Sequence, residues 1–149
     1  MPTTTLQDAW ERVGWYECRW VVEDYHQCLK TGCRIEARLM HTADRLIRLV
    51  GLLSPVAVRL LHLRDLSRRE PDRPAHEVVP ADLLAVVAAQ TGCSPATMTT
   101  TTFWQALARM GGYLARRHDG PPGWKTLWAG WLRAQTLLEG VHLVSQLRL

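Results

Sequence analysis

Apolar residues recur at spacings of three and four along almost the whole chain, from Leu6 to Val144. No run alternates apolar and polar residues with the β-branched enrichment and hairpin turns that a strand requires. A chain written in that period folds as helices, so the expected fold is mainly α. Its 149 residues, 47% of them hydrophobic, are enough for a sizeable core.

Proline and glycine punctuate the pattern. A first helix is expected from about Leu6 to Leu29, stopping at Gly32 as a C′ glycine. A second starts near Ile35 or Asp44 and reaches about Leu66, with Pro55 kinking or breaking it after Ser54. "SRREPDRPAHEVVP" (67–80) is charged, carries three prolines and reads as an exposed linker between two halves. "ADLLAVVAAQ" (81–90) is a short helix opened by Pro80 and closed at Gly92. The next helix is expected over Thr100–Arg117, weakened by Gly111 and Gly112, a glycine pair that allows a close helix crossing. After a turn at "HDGPPG", the last helix runs from Trp124 to about Val144.

The most apolar window, Leu49 to Val58, is ten residues long, whereas a bilayer span takes about 20. A buried core helix and no membrane partner are expected. The leader "MPTTTLQDAW" lacks a basic n-region and an apolar h-region, which points to a reducing, cytoplasmic setting. Cys28 and Cys33 flank "LKTG", but one pair falls short of a zinc ligand set, and buried free thiols are expected. Eighteen Lys and Arg against 14 Asp and Glu give a net charge of +4, which favours a phosphate-bearing partner without requiring one.

The stretch "YECRWVVEDYHQCLK" (16–30) carries the chemistry. At about 100° per residue, Tyr16, Arg19, Glu23 and Lys30 fall within roughly 60° of one another, with Val21, Tyr25, Cys28 and Leu29 on the far side. By periodicity alone this is an ordinary amphipathic helix, with Arg19 and Glu23 an i,i+4 pair worth about 0.3 kcal/mol. The set also suits phosphodiester chemistry, in which a carboxylate holds a divalent metal while cations and a hydroxyl hold the phosphates.

The pattern Tyr16-x2-Arg19-x3-Glu23-x6-Lys30 resembles the Tyr-Arg-Glu-Lys signature of the insertion-sequence 4 family of DDE transposases. "RLIRLVGLLSPVAVRLLHLR" (45–64) is similar to the family's helix after the catalytic glutamate. "MGGYL", "DGPPGW" and "LWAGW" are similar to its C-terminal dimerisation region. Together these cover most of the chain from about residue 10 to 144. The resemblance implies that residues 1–33 are the last helix of a ribonuclease-H-like catalytic core and that 34–149 are a helical dimerisation domain.

By the same resemblance Glu23 would be the third metal-ligating, catalytic carboxylate, with Mg²⁺ as the cofactor of the intact enzyme. Tyr16, Arg19 and Lys30 would contact transposon-end DNA. The family's two aspartates have no counterpart on strands ahead of Glu23, where Asp8 is the only aspartate and falls in a helical pattern. The chain therefore reads as an N-terminally shortened transposase that does not cut DNA alone and binds no metal by itself. Trp10, Trp15 and Trp20 are left to find other partners or stay partly exposed.

On the final helix Trp124, Leu127, Trp128, Trp131, Leu138 and Val141 form a stripe. Such a stripe faces either the domain's own core or a partner. Three tryptophans on one face, together with the resemblance, favour a homodimer interface, or pairing with a full-length transposase that a shortened chain would poison. Arg116, Arg117 and His118 form a small basic cluster that suits a phosphate contact, but a solvated helix end, whose dipole favours cations, is the expected reading. The competing reading is a stand-alone helical protein-interaction module, with the polar face of the first helix merely solvated.

Overall fold

A computed structural model describes residues 5–147. The described residues form five α-helices and no strand: α1 Leu6–Gln27, α2 Ala43–Arg69, α3 Ala81–Thr91, α4 Thr100–Met110 and α5 Trp124–Leu147. The mainly-α class read from the periodicity is therefore the observed one.

α1 begins at a capping box in which the Thr5 hydroxyl accepts from the Asp8 amide at 3.1 Å and the Asp8 carboxylate accepts from the Thr5 amide at 3.0 Å. No residue of α1 is buried. Its C-terminal end is not the expected glycine stop. The helix widens into a π-turn over Cys28–Gly32, closed by the Cys33 amide donating to the Cys28 carbonyl at 2.9 Å, and the chain reverses at Arg34, φ 52°. Gly32 is buried against α5, where a Cβ would meet the Trp124 carbonyl oxygen at 3.4 Å and the Trp128 Cβ at 3.6 Å, both ordinary contact distances.

Pro55 does not break α2, which runs from its Thr42 cap through to Arg69. The Ser54 hydroxyl donates to the Val50 carbonyl at 2.6 Å, and Gly51, whose carbonyl loses its partner at the proline, is exposed, so water can take it. By length and composition α2 is long and apolar enough to cross a membrane, the ten-residue window of the sequence reading being only its most apolar part. The expectation that Leu49–Val58 is a buried core helix is corrected: only Ala57 of that window is buried, Leu52 and Val58 are 74% and 55% exposed, and the burial of α2 lies further on, at Leu60, Leu63 and Leu66.

The segment 67–80 is not a linker. Ala75 is fully buried and Val79 nearly so, Arg73 pairs with both Glu70 and Glu77, and Pro74 bridges to Thr99. The Thr100 hydroxyl donates to the Glu70 carbonyl and its amide to the Arg73 carbonyl, tying this connection to the start of α4. α3 matches expectation, opening at Pro80 and closing at Gly92, which adopts φ 67°.

α4 ends at Met110, seven residues short of the expected Arg117, because Gly111 closes the helix and Gly112 turns left-handed at φ 95°. The close crossing expected from the glycine pair does occur, against α5. A Cβ on Gly111 would fall within 2.6 Å of the Gly130 nitrogen, and one on Gly130 would overlap the Leu107 carbonyl.

That crossing sets the fate of the tryptophan stripe. Trp124, Leu127 and Trp128 are buried inside the chain's own core, and Trp131 and Leu138 pack partly buried against it. The placing of Trp124, Leu127 and Trp128 in a homodimer interface is corrected: backbone-to-backbone approach of α4 and α5 draws these side chains inward, where Trp124 meets Trp104 edge-on at 6.4 Å between ring centres. One core spans residue 33, taking in Cys28, Leu29 and Cys33 with Leu60, Phe103, Leu107 and Leu127.

Candidate nucleic-acid interface on the first helix

The polar face of α1 stands in solvent, with Arg19 and Glu23 more than half exposed. Arg19 lies 3.7 Å from the Glu23 carboxylate, and its guanidinium sits 5.9 Å from the centre of the Tyr16 ring. Tyr16, Arg19, Trp20 and Glu23 line a hollow of about 230 Å³. Trp20 and Glu23 also border an adjoining hollow of about 430 Å³ with Asp24, His26, Gln27, Lys30 and Thr31.

The structure thus brings Tyr16, Arg19 and Glu23 together as the spacing predicts, and Lys30 reaches Glu23 only across the second hollow. Beyond Cys28 the π-turn changes the helical period, and the Lys30 ammonium pairs with Glu36 at 3.3 Å. The strict i,i+7 alignment of Lys30 with Glu23 assumed an unbroken α-helix and is corrected accordingly. The pairing is exposed on both sides and loosely held, so a phosphate can compete with Glu36 for the lysine.

Trp20, expected from the sequence only as a partly exposed side chain, lies about 40° from Tyr16 around the helix and so belongs to this face. It is exposed and floors both hollows, an aromatic plate beside cations. The other feature missed is Asp24, which turns away from the polar face to meet Arg64 of α2 through both carboxylate oxygens. Arg64 in turn lies 4.5 Å from the centre of the Trp124 ring. This is the anchor that fixes the base of α1 to the body, assisted by the Tyr25 hydroxyl 2.7 Å from that of Ser54.

A two-metal phosphoryl-transfer site holds its ions with several carboxylates. Glu23 is one donor, Asp24 is held by Arg64, and among the described residues no group of three His, Cys, Asp or Glu side chains converges. The donor set does not fit a Mg²⁺ pair on its own. What the α1 face offers is a phenol, a guanidinium, an ammonium and an indole on one exposed surface. No protein-family model matches the chain.

Proposed function

We propose that the chain acts in DNA transposition, as a helical protein of the insertion-sequence 4 transposase kind that binds transposon-end DNA through α1. The observation that supports this reading is the grouping of Tyr16, Arg19, Trp20 and Glu23 along one hollow that continues to Lys30. Arg19 and Lys30 would hold phosphates, Tyr16 would donate to one, and Trp20 offers a face on which an unpaired base stacks. Glu23 supplies a single carboxylate, so the chain binds DNA without cutting it.

The test is duplex DNA binding measured across salt concentrations. Each phosphate contact adds about 0.9 to the slope of log affinity against log salt, so Arg19→Ala and Lys30→Ala should each flatten it by about that much. Binding unchanged in both variants removes the reading. In the same preparation, Mg²⁺-dependent nicking of plasmid that disappears in Glu23→Ala would overturn the statement that the chain does not cut.

A second reading is favoured by one observation: Trp10, Trp15 and Trp20 are each about two-thirds exposed, at 69%, 65% and 68%. On that reading α1 is a protein-docking helix. It predicts no salt-dependent DNA affinity, and the same titration decides between the two.

A further inference from the structure

The net charge of the chain is concentrated in one stretch. Between Leu83 and Leu138 stand Arg109, Arg116, Arg117, Lys125 and Arg133, and Asp119 is the only carboxylate. Glu139 follows directly, on α5, so α4, α5 and their connection carry these five cations against Asp119 and Glu139, a net +3 of the chain's +4. On α1, by contrast, carboxylates outnumber Lys and Arg. A polyanion approaching this protein is drawn first to the α4–α5 side.

The connection between α4 and α5 is built to present charge. The Tyr113 hydroxyl donates to the Gly120 carbonyl at 2.8 Å, the Asp119 amide to the Arg116 carbonyl at 2.9 Å, and the Arg116 amide to the Asp119 carboxylate at 2.8 Å. These bonds hold Ala115 at φ 52°, a conformation that a residue other than glycine rarely adopts. They also turn the loop's only carboxylate onto its own backbone. Arg116 and Arg117 are exposed, and among the described residues neither side chain has a carboxylate partner.

Arg68 of α2 completes the surface. It lines a hollow of about 210 Å³ with Trp104, Gln105, Tyr113, Pro121 and Pro122, and it too lacks a carboxylate partner among the described residues. Arg64 borders the same hollow and holds Asp24, the neighbour of Glu23. The hollow therefore lies around one residue pair from the α1 face.

We infer that the α4–α5 loop and Arg68 form a second contact surface for the phosphodiester backbone of duplex DNA, continuous with the α1 face. This rests on the DNA reading of α1. Arg116 and Arg117 stand on a backbone already ordered by hydrogen bonds and Arg68 on a helix, so binding phosphates orders side chains without having to order the backbone. Arginines that neutralise phosphates carry no sequence information by themselves, so the contact positions the duplex and is indifferent to sequence.

The experiment is fluorescence anisotropy of a labelled mixed-sequence duplex with the full chain and an Arg68→Ala, Arg116→Ala, Arg117→Ala triple variant, its fold checked by circular dichroism. Three lost contacts should flatten the salt slope by about 2.7 and weaken binding at least about tenfold. The triple lysine variant should restore most of the slope, since point charges suffice for backbone neutralisation. An unchanged slope in the folded alanine variant overturns the inference. If Arg19→Ala and Lys30→Ala leave binding intact while the triple variant loses it, the loop surface stands and the α1 reading falls. The reverse result removes the loop surface alone. Tighter binding of single-stranded RNA than of the duplex also overturns the assignment.

Discussion

Asp24 on α1 and Arg64 on α2 meet through both carboxylate oxygens, and this pair is the polar joint between an otherwise uncovered helix and the helical body. Both side chains are less than a third exposed. Removing the charge of one leaves the other half-buried and unsatisfied, a loss of about 2 kcal/mol. Asp24→Asn should therefore lower the urea midpoint and free the base of α1. Arg64→Lys should recover only part of the loss, because an ammonium forms one bond where the guanidinium forms two and lies less well over Trp124.

The crossing of α4 and α5 gives a prediction with opposite signs at two glycines of one helix. Gly130 has no room for a Cβ, since the Leu107 backbone occupies the place. Gly130→Ala should destabilise by about 3 kcal/mol or more as the helices are forced apart. Gly140 sits ten residues on, exposed, with nothing within 4 Å of its would-be Cβ. Gly140→Ala should stabilise by about 0.5–1 kcal/mol through helix propensity and the less flexible unfolded chain. Thermal denaturation of the two variants checks both signs, and equal losses would mean that the crossing is looser than described.

Period and punctuation made much of the fold legible. Gly92 and Pro80 act locally, and local chemistry is what a sequence displays. Where neighbours decide, the reading failed. Pro55 is tolerated because Ser54 bonds back to Val50 and the freed Gly51 carbonyl faces solvent, neither of which the spacing reveals. The proline-rich 67–80 segment is buried at Ala75 and Val79 by its pairing with the start of α4. On the candidate site, Tyr16, Arg19 and Glu23 followed from helical geometry. Lys30 shifted because five residues of π-turn lie between Gln27 and Cys33, and Asp24 was lost among the charges of α1 because its partner is 40 residues away.

The tryptophans divide into two classes that stability measurements can separate. Trp128 is 7% exposed and packs beside Gly32, so Trp128→Ala should cost about 3–5 kcal/mol. Trp10, Trp15 and Trp20 touch little, so their replacement by Gln should move stability by less than about 0.5 kcal/mol each. Denaturant melts of the single variants give the comparison. A loss at Trp20 as large as that at Trp128 would show that α1 is covered in solution.

The two buried cysteines should give the protein a pH signature of its own. Cys28 and Cys33 are both fully buried. A hydrogen bond from the Cys28 thiol, with Arg38 nearby, holds Cys33 below the usual thiol value, against the effect of burial. Donating that bond, then burial and the adjacent Cys33 charge, push Cys28 well above it. Below about 8.5, the unfolded thiol value, the unfolded chain holds more protons at Cys33, so stability from this group rises with pH and is lost as pH falls through the folded value. Above about 8.5 the folded chain holds more protons at Cys28, so stability falls as pH rises further. In a Cys18→Ser, Cys93→Ser background, the gain in urea midpoint over the same protein with Cys28→Ser and Cys33→Ser should be greatest near that pH. Thiolate ultraviolet absorbance should show one equivalent formed below it and the second withheld. Cys28→Ser should abolish the alkaline decline that this pair contributes and leave the Cys33 thiol below its usual value, because a hydroxyl is a better donor to a thiolate than a thiol is and carries no proton that titrates in this range. Two thiolates appearing together at an ordinary thiol value would mean that the pair is not hydrogen-bonded inside the π-turn.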